Sequence, residues 1–487
     1  MTRTAVVALL CAVLAVVVRI PLLWDDPWAP GYDGWYYVLQ VRSWLDGEPL
    51  FADRSLVFPV LVGLARVIGD VVTANKVAAC VFAAAGAGGA AVGAFRWTGS
   101  LAAALVAGTW WAVAPGHLHV SLEFLKNDAG VAVLGLLCAA LPGLGRHRAS
   151  TVLAVGLMLL GPFVHKLTGV MGLVWGVGVV VVGWAWSFVG APSPRPPPSG
   201  EGDHAAVGGG PAWIPILLTL IAITLLIGVF GVLRGVDFLR FLAPQPGDGA
   251  RFDLLLHSRR IHTVHRLTLL VAHILPILLA AGLWRTRFVR VGAPVVLLAV
   301  LTAAPLLPMG FDLTAWRLLL LAFIPTAMAL ALLVARTHWS VGLLLAVATV
   351  ATTPSTIAHT ARAEPEYADW AALVPVLQQH IPETHRVVAH RGLCGFVWAV
   401  ADRHCENFDP QGDPTHWWRI VYGMGEARLA PYSEVPPVRL RLGYTLVPES
   451  AWRAFRADHA DTLPLVHHPR NPYRPRPGFV YGPEEVP

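Results

Sequence analysis

From residue 4 to residue 353 the chain repeats one pattern: an uncharged apolar stretch, then a short turn carrying Arg, Pro, Gly or an acid. Most stretches are long enough to cross ~30 Å of hydrocarbon as a helix. The pattern predicts spanning helices over 4–24, 74–95, 99–115, 128–145, 150–165, 167–189, 212–233, 266–284, 291–309, 316–335 and 338–353. Segment 55–72 is ambiguous, because it is short, carries Arg66 near its middle and ends on Asp70. An arginine at a span centre costs ~2.5–3.5 kcal/mol on insertion scales. The first stretch begins like a signal peptide, but its apolar run continues through Arg19 to Trp24 without a small-residue cleavage site. It is read as an uncleaved first span.

Basic residues choose between the two topologies. If 55–72 does not cross, Arg96, Arg146, Arg148, Arg285, Arg287, Arg290 and Arg336 all fall in cytoplasmic turns, as the positive-inside bias requires. If it crosses, all of them move outside. The expected topology therefore has about eleven spans, a cytoplasmic N-terminus, and 55–72 as a re-entrant or surface helix on the outer face. Loops 25–73, 116–127 and 234–265, with everything after 353, then lie outside. Residues 190–211 are a Pro/Gly-rich cytoplasmic linker that cannot build a core.

Composition agrees with this reading. The 487 residues are 55% hydrophobic and only 14% charged, with a mean hydropathy of +0.59. A soluble domain usually carries about 25% charged residues. The formal net charge of +6 is mostly arginine at span ends and in the C-terminal region. No recognition motif accompanies it, so it does not point to nucleic acid.

Past residue 353 the pattern changes, with frequent charge, Pro, His and Trp. Glu366 to Ile381 places Trp370, Leu373, Val374 and Leu377 on one helical stripe, while 386–390 and 444–447 read as strands. The expected fold class is thus an α-helical polytopic membrane protein over 1–353, with outer-face juxtamembrane helices. A small α/β extracytoplasmic domain follows over 354–487. Cys394 and Cys405 lie in that domain and can be a disulfide or two free thiols, since spacing alone does not set their geometry. Cys11, Cys80 and Cys138 fall in apolar spans, where thiols behave as small hydrophobes.

Candidate chemistry clusters at the outer ends of spans. Asp33 sits in an aromatic frame, Gly31 to Tyr37, where the first span exits. Trp35, Tyr36, Tyr37 and Trp44 are expected to hold its helix in the headgroup layer. A carboxylate there can take a proton from an incoming nucleophile, bind a divalent cation, or simply help to start the helix. Glu123 and Asn127 are four apart and share a face if the turn is helical, with Lys126 and Asp128 beside them and His117 and His119 upstream. Such donors suit Mg²⁺ or Mn²⁺, and the histidines also admit Zn²⁺. Alternatively, the acids complement the dipole of the next helix. His165-Lys166 with Thr168, Arg259-Arg260 with His262 and His265, and Arg317 after Trp316 are cationic groups that can bind phosphate or snorkel to headgroups. Trp417-Trp418 can stack on a sugar or pack in a core.

Several of these elements together resemble the GT-C superfamily of polytopic glycosyltransferases, which includes protein O-mannosyltransferases, lipid A aminoarabinose transferases and the catalytic subunit of oligosaccharyltransferase. The resemblance rests on Asp33 with Tyr36-Tyr37 and then Gly47 to Phe51, the outer helix 55–72, and the hairpin 74–115 with its basic turn at Arg96. Glu123 to Asn127 in the second outer loop and Arg317 opening a late span complete it. It implies that Asp33 is the catalytic or metal-binding carboxylate, that Glu123 is the second-loop acid, and that Arg317 contacts a lipid-linked phosphate. The chain departs from the mannosyltransferase pattern in having Gly34 after Asp33. The Trp417-Trp418 pair also lacks the continuation used by oligosaccharyltransferases.

The expected activity is an inverting transfer of sugar from a polyprenyl-phosphate carrier to an extracytoplasmic acceptor, at the cell (inner) membrane. Asp33 and Glu123 are the catalytic candidates. Arg317, Lys166, Arg259 and Arg260 are the donor-phosphate candidates, and Tyr36, Tyr37, Asn127, Trp417 and Trp418 are auxiliary or acceptor-side. Asp33, Glu123 and Asp128 are the residues for Mg²⁺ or Mn²⁺ should a metal be used. The competing readings are a non-catalytic lipid or polysaccharide transporter, which should bury ionisable groups along a path, and a scaffold subunit of a cell-envelope glycan pathway.

Overall fold

The computed structural model describes residues 2–25, 27–31, 33–47, 55–145, 147–188, 295, 320–335, 338–351, 370–389, 391–406, 410, 413–422, 424–440 and 443–459. They form two compact units. One comprises Met1–Asp25, Arg54–Val57 and Val77–Arg362, and the other Asp26–Asp53, Phe58–Lys76 and Ala363–Pro487. The division does not follow a single break near residue 353, because much of the first loop packs with the C-terminal residues.

The first unit is helical. It contains α1 (Arg3–Val17) and α2 (Ile20–Leu23), and the next helix, α5 (Val71–Thr98), begins in the second unit and runs on into the first. Then come α6 (Leu101–Val113), α7 (Pro115–Glu123), α8 (Leu125–Ala140), α9 (Arg148–Val164) and α10 (Lys166–Phe188). After the undescribed stretch come α11 (Phe323–Val334) and α12 (Trp339–Ala351). Among the described residues three helices are long and apolar enough to cross a membrane. A fourth is added if α6 and α7, bent by 44°, count as one span. The expected spans 212–233, 266–284 and 291–309, and the linker 190–211, lie outside the described residues.

Local sequence sets the breaks. Ser100 opens α6 by accepting the Ala103 N–H at 3.3 Å, and Pro115 starts α7 at a position that needs no donor. Helix α6 is the hub of this unit, packing on α1, α11 and α12. The small side chains of Ala94, Ala103, Ala107 and Ala331 let backbones approach closely there. The outer face of α12 stays apolar and exposed, with Leu344 68% and Val347 56% accessible, as a lipid-facing surface requires.

The second unit holds α3 (Gly34–Leu45), α4 (Val57–Ile68) and the C-terminal α/β domain. Helix α4 occupies the ambiguous segment. It stops at Gly69, whose φ of +83° ends the helix, and Asp70 then caps α5 by accepting the Thr73 N–H at 2.7 Å. Its 12 residues rise about 18 Å, short of ~30 Å of hydrocarbon. Phe58, Leu61 and Ala65 are buried while Val60 and Val67 are exposed, so it presents one apolar face outward.

The C-terminal domain adds α13 (Val374–His380), β1 (Arg386–Val388), α14 (Arg391–Ala401), β2 (Cys405–Glu406) and β3 (Trp417–Tyr422). It continues with α15 (Glu426–Leu429), β4 (Val438–Arg439), β5 (Tyr444–Pro448) and α16 (Glu449–Asp458). The sheet order is β2-β1-β3-β5-β4, with β1 parallel to β2 and β3 and the remaining pairs antiparallel. Both expected strands are present, and Trp370, Leu373 and Leu377 of the expected stripe are buried. Helix α16 seals one face through Trp452 and Phe455 against Val421, Met424 and Val447. Arg419 on β3 grips both oxygens of Glu449, at 2.7 and 3.1 Å, inside that packing. Cys394 and Cys405 are bonded, joining α14 to β2 with Cα atoms 5.3 Å apart.

Candidate functional site

The chemistry-bearing residues fall in both units. In the second unit, Asp33 directly precedes α3. Its backbone begins the helix, since the Tyr37 N–H donates to the Asp33 carbonyl, but its side chain makes no capping hydrogen bond. The Asp33 side chain is half-buried.

The aromatic frame is used differently from the sequence expectation. Trp35 and Tyr37 are not headgroup anchors, because both are buried inside the unit, at 3% and 4% exposure. Trp35 packs edge-on against Phe396 at 5.5 Å and beside Trp28 at 6.3 Å. Tyr36, Tyr37 and Trp44 gather around Phe58. Rings so large gain more from a protein core than from the interface once a partner domain is present.

Two residues at the start of α5, also in the second unit, escaped sequence reasoning. Asn75 and Lys76 are each 3% exposed, and both amide atoms of Asn75 are buried without a hydrogen-bond partner. The signal was legible: a lysine inside an apolar span is costly and marks function by default. Trp418, an expected acceptor-side residue, is mostly buried and donates its indole N–H to His385 Nδ1 at 3.1 Å. Trp417 is half-buried under the Arg386 guanidinium, 5.5 Å from the ring centre. Burial, with His416 alongside, pushes the His385 imidazole below the usual histidine range.

In the first unit the second-loop acids do not share a helical turn. The helix breaks at Phe124 (φ −136°, ψ 68°), so Glu123 ends α7 while Lys126, Asn127 and Asp128 open α8. The break lets Asp128 turn inward. Its Oδ1 lies 2.9 Å from His117 Nε2, and His117 Nδ1 lies 2.6 Å from the Trp111 carbonyl, with both side chains fully buried. Oxygens thus face both ring nitrogens, and the ring is held from two sides. The His117 ring stacks on Phe323 at 4.9 Å.

Arg19, wholly buried, stands within Coulombic reach of Asp128. It donates to Ser121 Oγ at 2.8 Å and to the Ala15 and Ala112 carbonyls at 2.9 Å. Ser121 in turn donates to the His117 carbonyl. The network therefore ties α1, α6, α7 and α8 together. Glu123 and Asn127 are buried, and Lys126 is half-buried.

Lys166 is exposed at the first turn of α10, after a break at His165, whose ring nitrogen accepts from Thr168. Arg259, Arg260 and Arg317 lie outside the described residues. Among the described residues no group of three or more His, Cys, Asp or Glu side chains could hold a metal ion. Of the expected trio for Mg²⁺ or Mn²⁺, Asp33 belongs to the second unit and Glu123 and Asp128 to the first.

No family model and no curated protein matches the sequence. Eleven chains of solved structures match the fold. One is the crystal structure of ArnT from Cupriavidus metallidurans bound to undecaprenyl phosphate. It aligns with 90% of this chain and 97% of its own, with a TM-score of 0.56 and 13% identity. At that identity the likeness is one of fold, and at the level of fold the GT-C resemblance holds.

Proposed function

Starting from a chain with the fold of a GT-C glycosyltransferase, we propose that it moves a sugar from a polyprenyl-phosphate carrier to an acceptor at the outer face of the membrane. The observation that carries this reading is the likeness across nine-tenths of the chain to a structure holding undecaprenyl phosphate. Two features of the chain itself support it. Asp33 keeps its carboxylate out of helix capping, and the Cys394–Cys405 disulfide suits an oxidising compartment for the C-terminal domain.

The reaction is a single displacement. The acceptor nucleophile forms a bond to the anomeric carbon, the carrier phosphate leaves with the electrons of the C–O bond, and the nucleophile's proton passes to Asp33. Charge grows on the departing phosphate and calls for a nearby cation. Lys76, buried in the same unit as Asp33, joins Arg317, Lys166, Arg259 and Arg260 as a candidate. Glu123 and Asn127 remain candidates for orienting the acceptor from the second loop. No step requires Mg²⁺ or Mn²⁺, and a chelator titration decides whether either is used.

A transporter is the second reading. One observation favours it, the burial of Arg19, His117 and Asp128 among apolar helices. Purified protein in nanodiscs separates the two. Supplied with undecaprenyl-phosphate-linked sugars and candidate acceptors, a transferase releases undecaprenyl phosphate and a transporter does not. Asp33→Asn keeps the side-chain volume and removes the charge, and it should cost ~10²–10⁴-fold in turnover. Wild-type turnover by the folded mutant would remove Asp33 from the mechanism.

A further inference from the structure

We propose that Gly395, with the C-terminal-domain helix α14 that contains it, is a positioning residue for Asp33. The inference rests on the reading of Asp33 as the base. It adds that the soluble domain determines where that base stands.

The contacts run in one direct line. The Asp33 carbonyl caps the first turn of α3, so the carboxylate moves with that helix. Two residues further on, Trp35 lies against α14 at backbone distance. A Cβ on residue 395 would sit 2.8 Å from Trp35 Cβ and 3.6 Å from the Tyr36 nitrogen. The Trp35 ring is held by Phe396 and Trp28, and Phe396 packs in turn on Trp28 and on Trp370 at 5.6 Å. About two turns further along α3 and one along α14, the Arg42 guanidinium donates to the Ala399 carbonyl at 3.1 Å. Helix α14 is itself fixed to the sheet, because Cys394, beside Gly395, is bonded to Cys405 on β2. Sheet, disulfide, α14 and α3 form a rigid path that ends on the carboxylate.

The contact at Gly395 is tight enough to matter. Relieving 2.8 Å to an ordinary contact of 3.4 Å or more requires α3 or α14 to move by about half an ångström or more. Catalytic groups tolerate only ~0.5 Å of displacement, and a 1 Å misplacement can cost ~10²-fold. Gly395→Ala should therefore lower kcat ~10–100-fold while leaving the donor KM within about two-fold, because the donor's phosphate does not depend on where the base stands. Gly425→Ala is the control, since nothing lies within 4 Å of its Cβ position.

Turnover, donor KM and thermal midpoint are measured on the full-length protein in nanodiscs, beside Asp33→Asn. A kcat-only loss supports positioning. Wild-type kcat, or a joint fall of kcat, donor affinity and thermal midpoint, overturns it. If Gly395→Ala does not fold, Arg42→Ala and the double variant Cys394→Ser, Cys405→Ser decide by the same criterion, each slackening the path at another link. An active Asp33→Asn enzyme would instead sink the reading of Asp33 as base. A dead Asp33→Asn enzyme beside a fully active Gly395→Ala enzyme would sink the positioning alone.

Discussion

Replacing Asp128 tests whether the buried pair is a compensated unit or two accidental neighbours. Asp128→Ala removes the partner of His117 Nε2 and a carboxyl within Coulombic reach of Arg19, with all three side chains fully buried. Breaking such a pair by deleting one partner typically costs ~3–5 kcal/mol, because the survivor stays buried and uncompensated. Asp128→Asn is different. With the ring neutral, Nδ1–H still donates to the Trp111 carbonyl, and the new amide can donate to Nε2. Every hydrogen bond of the ring survives, so the loss should be no more than ~1.5 kcal/mol, and the Arg19 charge accounts for what remains. The assay is the thermal midpoint of purified protein in detergent, followed by fluorescence-detected size exclusion, for wild type, Asp128→Asn, Asp128→Ala and His117→Ala. Asn should lie near wild type and Ala far below it. The double variant His117→Ala, Asp128→Ala should lose less than the sum of its parts. Equal midpoints for Asn and Ala would refute the hydrogen-bond bookkeeping at this site.

Two further outcomes follow from other contacts. Gly116→Ala should destabilise the protein by ~1–3 kcal/mol, since its Cβ would run into the Leu320 carbonyl oxygen. Gly156→Ala, with nothing within 4 Å, should be neutral or stabilising by up to ~1 kcal/mol, and the two midpoints side by side check this. The depressed pKa of His385 means that the unfolded chain takes up a proton more readily than the folded one, so stability should rise with pH. Its contribution is full above the ordinary histidine value of about 6.5 and falls as pH drops below it. His385→Gln should flatten that part of the stability–pH curve.

Much of the helical pattern was legible because an apolar run with basic turns leaves few alternatives. The two C-terminal strands were legible for a similar reason, β-branched residues bounded by turn formers. What escaped was everything decided at long range. Trp35 and Tyr37 carry the same amphipathic signature whether they face headgroups or a protein core, and only the arrival of Phe396 and Phe58 decides. The break at Phe124 has no proline or glycine to announce it; the inward turn of Asp128 toward His117 accompanies it. Asn75 and Lys76 were readable in principle, as polar residues at the head of an apolar span. Cys394 and Cys405 could not be paired from spacing, because one lies on a helix and the other on a strand, and only the packing of the two brings them together.

The union of the first loop with the C-terminal domain has a consequence for the making of the protein. Arg42 and its partner Ala399 are 357 residues apart in the chain. At ~5–20 residues per second, a ribosome needs roughly 20–70 s to supply the second after the first. During that interval the segment bearing Asp33 has been synthesised but cannot reach its final packing, and Trp35, Tyr37 and Phe58 lack the surfaces that bury them. A chain that stalls before residue 370 thus holds α3 without the packing that Phe396 and Ala399 supply. Translation of the last quarter completes the packing around that segment, and incomplete chains display aromatic side chains that chaperones and proteases can read.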